Sequence, residues 1–249
     1  MTGVLATVVF AGWSLLAYRA SGGAKDALRG DPSVRVTRGD AHWLFSPASA
    51  EPDPVGLLFF PGALVDPAAY APLAARIARA GHPVLLVELP RRAAFGGANG
   101  DEVLARARAA LAGVPAVSTW VIAGHSRGAV VAARLARAGG PFLGGLAIVG
   151  STHPRDFSLA DLTIPITKIV GTRDCVADME KSDANRHLLP ASSQWVVLEG
   201  ANHSQFGSYG FQPGDCFATI DRDRQQRMTT DAILELLQRV QGGEAVASR

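Results

Sequence analysis

The sequence predicts a single α/β domain built on a mostly parallel eight-stranded sheet with helices on both faces. Short apolar runs alternate with longer Ala-rich amphipathic stretches from about residue 33 onward, which is the grammar of repeated strand-helix-strand units. The later apolar runs are solid rather than alternating, as strands covered on both faces must be. A length of 249 residues suits one such domain with a short appendage.

Taken in order, the candidate strands are Ser33 to Arg38, Ala41 to Ser46, Val55 to Phe60, Pro83 to Leu89, Ser118 to Ala123, Gly145 to Val149, Ile166 to Gly171 and Gln194 to Glu199. The intervening helices are Pro67 to Ala80, Asp101 to Ala112, Arg127 to Ala138, Val176 to His187 and Arg224 to Val240. Asp66 and Pro67 mark the first helix start, a side-chain cap followed by a residue whose fixed φ suits the first helical position. In the last helix Ile233, Leu236, Leu237 and Val240 share one face, a stripe that belongs against a core. No internal repeat appears. The expected division is an apolar segment over residues 1–22, a polar linker over 23–32 and one domain over 33–249.

Composition removes several classes of function. Apolar residues make up 48% and charged residues 18%, with a net charge of +2, and no block of Lys or Arg is interleaved with aromatics. A nucleic-acid partner is not expected. The two cysteines, Cys175 and Cys216, have no C-x-x-C spacing, and no histidine pair has metal-ligand spacing, so no metal is expected. Neither a phosphate-binding loop nor a dinucleotide fingerprint occurs, so no cofactor is expected.

The run Val4 to Tyr18 is uncharged but shorter than the roughly 20 apolar residues that span a bilayer comfortably. Two readings stand. Arg19, Lys25 and Arg29 follow the run, which favours a membrane anchor with the domain inside, while Ala20 and Gly22 are small enough for the cleavage site of an export signal. The chain is thus expected to be membrane-associated through residues 4–18 or exported, with the side of the membrane open.

Chemistry concentrates at Gly124-His125-Ser126-Arg127-Gly128, a G-x-S-x-G that follows the apolar strand and precedes an Ala- and Val-rich helix. A nucleophile on a tight strand-to-helix turn needs small flanking residues, because the turn is strained and the helix packs close to the strand. Serine also needs a base, and the base an orienting acid, and on this architecture they follow the serine in the order acid, then histidine. Asp174 lies just past the strand ending at Gly171, and His203 just past the one ending at Glu199. Both therefore sit at the sheet edge where catalytic groups collect. Of the six histidines, His42 and His82 precede the serine, His125 is locked beside it and His187 lies in a charged helix. His153, after the strand Gly145 to Val149, is the rival base. Asp178 and Glu180 are rival acids that read more simply as charges at a helix start.

Two backbone N–H groups are candidates for an oxyanion hole, that of Arg127 and that of Ala63 or Leu64 in the loop Pro61-Gly62-Ala63-Leu64. Leu64, Phe95, Phe206 and Tyr209 are the candidate substrate-binding residues. Only Ser151 to Pro165 separates two strands where a lid domain would be inserted, so no lid is expected.

The segments FFPGALVDPAAYAPLAARIARAGHPVLLVELP, GHSRGA, IVGTRD and EGANHSQFGSYG with its trailing GD resemble the α/β-hydrolase fold-5 family, relatives of the dienelactone hydrolases. The resemblance covers roughly Ser33 to Val240. It implies the α/β-hydrolase fold, with Ser126 as nucleophile, Asp174 as acid and His203 as base, and it is compatible with one leading apolar segment. Two departures matter: dienelactone hydrolases proper use a cysteine nucleophile, and Cys175 stands where the family usually has glycine. The resulting expectation is a serine hydrolase of small-molecule carboxylic esters or thioesters. Amide or lactone cleavage on the same residues, and a non-catalytic membrane-tethered binding module, are the alternatives. Cys175 and Cys216 flank the proposed acid and the segment after the proposed base, where either a disulfide or two buried thiols would fit.

Overall fold

The computed structural model describes residues 12–13, 16–48 and 53–243. Eight strands form, β1 (Val34–Arg38), β2 (His42–Pro47), β3 (Val55–Phe60), β4 (Val84–Val87), β5 (Thr119–His125), β6 (Leu143–Val149), β7 (Ile166–Gly171) and β8 (Gln194–Leu198). They make one sheet in the order β1-β2-β4-β3-β5-β6-β7-β8. The pairs β1–β2 and β2–β4 are antiparallel and every other pair is parallel. The helices that accompany them among the fully described elements are α1 (Gly22–Asp26), α2 (Ala71–Arg79), α3 (Asp101–Ala112), α4 (Arg127–Ala138), α5 (Met179–Ala184) and α6 (Arg222–Gln241).

The solid apolar pattern of β3 now has its cause, since all six residues are buried. Leu57 and Phe59 face a core closed by α2 and α6, while Leu58 and Phe60 face a second core closed by α3 and α4. Because β4 and β5 flank β3 on opposite sides, the chain leaves β3 in one direction and β5 in the other. Such a reversal opens a crevice at the carboxyl ends of the two strands. No lid domain covers it, since only residues 150–165 lie between β6 and β7.

Three elements differ from expectation. The helix expected from Pro67 to Ala80 divides into a 3-10 turn, Pro67–Tyr70, capped by the Asp66 carboxylate on the Ala68 N–H, followed by α2. Pro72 has no N–H to continue a hydrogen-bonded ladder and so belongs to the first turn of a new helix. The helix expected from Val176 shrinks to α5, because Asp178 caps its start at the Lys181 N–H and the preceding residues are bound elsewhere. The stretch assigned as a linker is folded: Ser21 caps α1 through the Ala24 N–H, and Ala24 is buried.

Within β7 the Lys168 side chain is buried, and its Nζ donates to the carbonyl oxygens of Ser151 and His153, pinning the chain that leaves β6. Burial pushes its amine down to about 7, far below an ordinary lysine. Between that value and the ordinary lysine range, the unfolded chain binds the proton that the folded chain has lost. Stability therefore rises as pH rises from about 7 toward 10, and the penalty is fully present below 7. Urea denaturation at several pH values in this window should show that rise in the wild type and a flatter response in Lys168→Met. Equal slopes in the two proteins would refute it.

Candidate active site

The turn between β5 and α4 is held by close backbone approach. A Cβ on Gly128 would lie 2.1 Å from the Phe60 carbonyl oxygen, and one on Gly124 would lie 2.3 Å from the Gly128 carbonyl carbon. Only glycine fits at either position. Between them Ser126 adopts φ +53° and ψ −117°, a strained conformation for a residue with a side chain, and its N–H donates to the Val149 oxygen at 2.9 Å. The turn projects a partly exposed Ser126 from the carboxyl end of the sheet.

Asp174 and His203 come together against this turn. His203 Nδ1 donates to Asp174 Oδ2 at 2.8 Å, and both side chains are fully buried. The other carboxylate oxygen accepts the N–H groups of Val176 and Ala177, at 3.0 and 2.6 Å, so Asp174 is fixed by its own following turn. With the Nδ1 proton committed to the carboxylate, Nε2 carries the lone pair, and this buried atom has no hydrogen-bond partner among the described residues. The His203 ring lies 4.4 Å from the ring of His125, the residue before Ser126. No hydrogen bond joins Ser126 to His203 in this structure; in ligand-free sites this contact is often loose and tightens with substrate. His153, the rival base, lies elsewhere, with its Nε2 3.2 Å from Asp156 Oδ2.

One donor in the loop after β3 is singled out by what its neighbours do. The Gly62 N–H donates to the Tyr70 phenol at 3.1 Å, and the Leu64 N–H donates to the Arg92 oxygen at 2.7 Å. Of these three successive groups, the N–H of Ala63 alone has no acceptor among the described residues. Arg127, first residue of α4, likewise has no intrahelical acceptor for its N–H. The Tyr70 phenol also lies 2.7 Å from His125 Nδ1, so one buried hydroxyl joins the loop to the turn. Burial and the neighbouring His203 hold the His125 pKa well below the usual histidine range, which keeps that ring neutral.

The sequence model of the Alpha/beta hydrolase family matches residues 56–227, well over half of the chain. The chain belongs to this family. No curated protein matches it. Among solved structures, the hydrolase is similar to a dienelactone hydrolase-like promiscuous phosphotriesterase from metagenomic libraries, at 21% identity and a TM-score of 0.60, covering 82% of this chain and 98% of that one. It is also similar to the carboxylesterase CesB from Bacillus subtilis, at 9% identity and a TM-score of 0.59, covering 86% and 94%. Est1E from Butyrivibrio proteoclasticus follows at 12% identity and a TM-score of 0.54, covering 83% and 99%. At these identities the likeness is one of fold.

Of the four candidate substrate-binding residues of this hydrolase, only Leu64 stands open beside the Ala63 N–H, at φ +64°. Phe206 is buried, its ring 5.3 Å from that of His125, where it covers the back of the turn. Tyr209 is buried too, stacked on Tyr18 at 6.3 Å. These rings are held in the core by the apolar area they remove from water. Phe95 goes the other way and is 96% exposed.

Three residues that sequence reasoning missed hold the site in place, two of them at the His203 loop. Gln225 at the start of α6 acts on Asn202 as a neighbouring strand would, accepting its N–H at 3.1 Å and donating to its oxygen at 2.6 Å. Asp215 accepts the His203 N–H at 3.2 Å and the N–H and hydroxyl of Ser204 at 2.8 and 2.6 Å. Tyr70 is the third, through the loop and turn it joins. The trailing Gly214-Asp215 was a visible signal, but nothing local marked Gln225 or Tyr70.

Cys175 and Cys216 are joined by a disulfide, with Cα atoms 5.3 Å apart. Each is the next residue after a carboxylate that holds His203, Asp174 at the ring and Asp215 at the backbone. The bond closes a loop of 41 residues, worth about 4 kcal/mol in the chain-entropy model. Replacing both cysteines by serine should lower the unfolding free energy by about 3 to 4 kcal/mol, measured by urea denaturation. Thiol titration of the denatured, unreduced wild type should find none free, and two free thiols would exclude the bond.

Proposed function

We propose that this hydrolase cleaves carboxylic esters or thioesters through an acyl-serine intermediate. The observation that carries this reading is the buried Asp174–His203 pair set against a strained turn that presents Ser126. Ser126 Oγ attacks the carbonyl carbon as His203 Nε2 takes its proton, and Asp174 steadies the imidazolium that forms. The carbonyl oxygen, now an oxyanion, accepts the N–H groups of Ala63 and Arg127. Collapse of the tetrahedral adduct expels the alcohol or thiol, which takes the proton from His203. Water then attacks the acyl-serine by the same route and releases the acid. The open crevice and the lack of a lid support short or medium acyl groups, with Leu64 at the mouth.

The location belongs to the same reading. A disulfide persists in oxidising compartments, which supports an exported domain rather than one facing the cytoplasm. Association with a membrane would run through residues 4–18, which fall largely outside the described residues. Among those that are described, no helix is long and apolar enough to cross a membrane.

With a panel of p-nitrophenyl esters of graded chain length, Ser126→Ala and His203→Ala should each lower kcat by about a thousandfold or more, with little change in stability. His153→Ala should stay within about threefold of wild type. Near-normal turnover in Ser126→Ala sinks the mechanism, and loss in His153→Ala without loss in His203→Ala reassigns the base. Tyr70→Phe frees the Gly62 N–H and unties the loop from His125. It should lower kcat by about tenfold with KM nearly unchanged, a smaller loss than deletion of an oxyanion donor itself.

A further inference from the structure

We propose that the carboxyl edge of the sheet, where Ser126 opens, is a docking surface for a lipid bilayer, so that the site faces the membrane. Eight large apolar side chains are strongly exposed among the described residues. Five of them, Leu64, Phe95, Val176, Met179 and Phe217, lie in the connections that follow β3, β4, β7 and β8 and therefore share this one edge. Phe95 is 96% exposed and Phe217 is 76% exposed. Scattered exposed apolar residues need no explanation, whereas a concentration of them around one crevice marks a surface that meets something apolar.

The path of the chain identifies the occupant. The Ala17 oxygen accepts the Gly210 N–H at 2.7 Å, the Tyr18 oxygen accepts the Asp66 N–H at 2.9 Å, and the Ser21 N–H donates to the Ser208 oxygen at 2.8 Å. Residues 17–21 are thus laced to the two loops that border the site, one after β3 and one after His203. The uncharged run Val4 to Tyr18 joins the domain at that border, so a bilayer that takes up the run lies beside the crevice. The run is too short to span comfortably and suits an interfacial position.

The charge on this border is mixed. Arg19, Arg91 and Arg173 are exposed there, and so are Glu180 beside Met179, Glu199 just after β8 and Asp221 before α6. Apolar tips set among charges of both signs match the interface of zwitterionic headgroups and acyl chains. Resting on the hydrolase reading, the substrates would be ester-bearing amphiphiles drawn from the lipid surface.

The test uses the full chain carrying Ser126→Ala, so that binding is read without turnover. It should co-sediment with phosphatidylcholine vesicles. Phe95→Asp combined with Phe217→Asp should weaken binding by about tenfold or more, with an unchanged melting temperature. No vesicle binding by the parent chain would overturn the proposal. So would full binding by the double variant, which would leave residues 4–18 as the sole contact. A dimer in sedimentation velocity that the double variant dissolves, without vesicle binding, would assign the patch to a second copy. Hydrolysis is read separately on soluble p-nitrophenyl acetate with Ser126 intact. Its absence would sink the hydrolase reading and leave the binding result standing.

Discussion

Everything at the carboxyl edge of the sheet around Ser126 depends on how closely α4 approaches the end of β3. The Gly128 Cα stands where a Cβ would strike the Phe60 carbonyl, so the helix is drawn down onto the strand beside it and the turn before it has no room to relax. Ser126 takes up that compression as a positive φ. The same approach sets the N–H at the start of α4 beside the loop that follows β3, because that loop begins at the residue the helix touches. One steric contact thus places the serine and both candidate oxyanion donors at once. A strained turn of this kind persists only where its surroundings over-determine it. Here they do so through buried strands on either side and the bond from the Ser126 N–H to Val149.

The rest of the site is assembled across long sequence distances, and it is assembled on backbone. Asp174 is fixed by two N–H groups of its own turn, and His203 by Asp215 and by Gln225 acting through Asn202. Gly171 allows the acid turn to pass close to the Ala201 oxygen, which accepts the Arg173 N–H at 2.8 Å. The disulfide ties the two carboxylate-bearing segments together at the surface. Imidazole orientation here is a consequence of where two loops are anchored, more than of any contact the ring makes beyond Asp174.

This division explains what could be read from residues alone. The fold was legible because two-sided burial leaves a solid apolar run, as in β3, and because Gly124 and Gly128 answer a local steric demand within five residues. Asp174 and His203 were legible because chain order and strand ends locate them. Gln225 was not, because a glutamine at the start of an amphipathic helix reads as solvated, and its partner Asn202 lies 23 residues away. Phe206 and Tyr209 read as cleft walls because a loop aromatic carries no sign of its direction. The structure turns both inward, onto His125 and Tyr18.

Two imidazoles whose centres lie 4.4 Å apart, tilted 46° to each other, pose an electrostatic problem that the fold has to solve if His203 is to accept a proton. Two charged rings at that distance would repel by about 4 kcal/mol at an effective dielectric constant near 20. That repulsion would oppose the protonation that the proposed attack by Ser126 requires. Burial removes the difficulty by keeping His125 neutral, and the phenol of Tyr70 occupies its Nδ1. A charge developed on His203 in the proposed reaction would then face a neutral ring on one side and the Asp174 carboxylate on the other. His125 thus serves as an uncharged spacer kept neutral by its burial, and Tyr70, which hydrogen-bonds to its Nδ1, also fixes the loop bearing the Ala63 N–H.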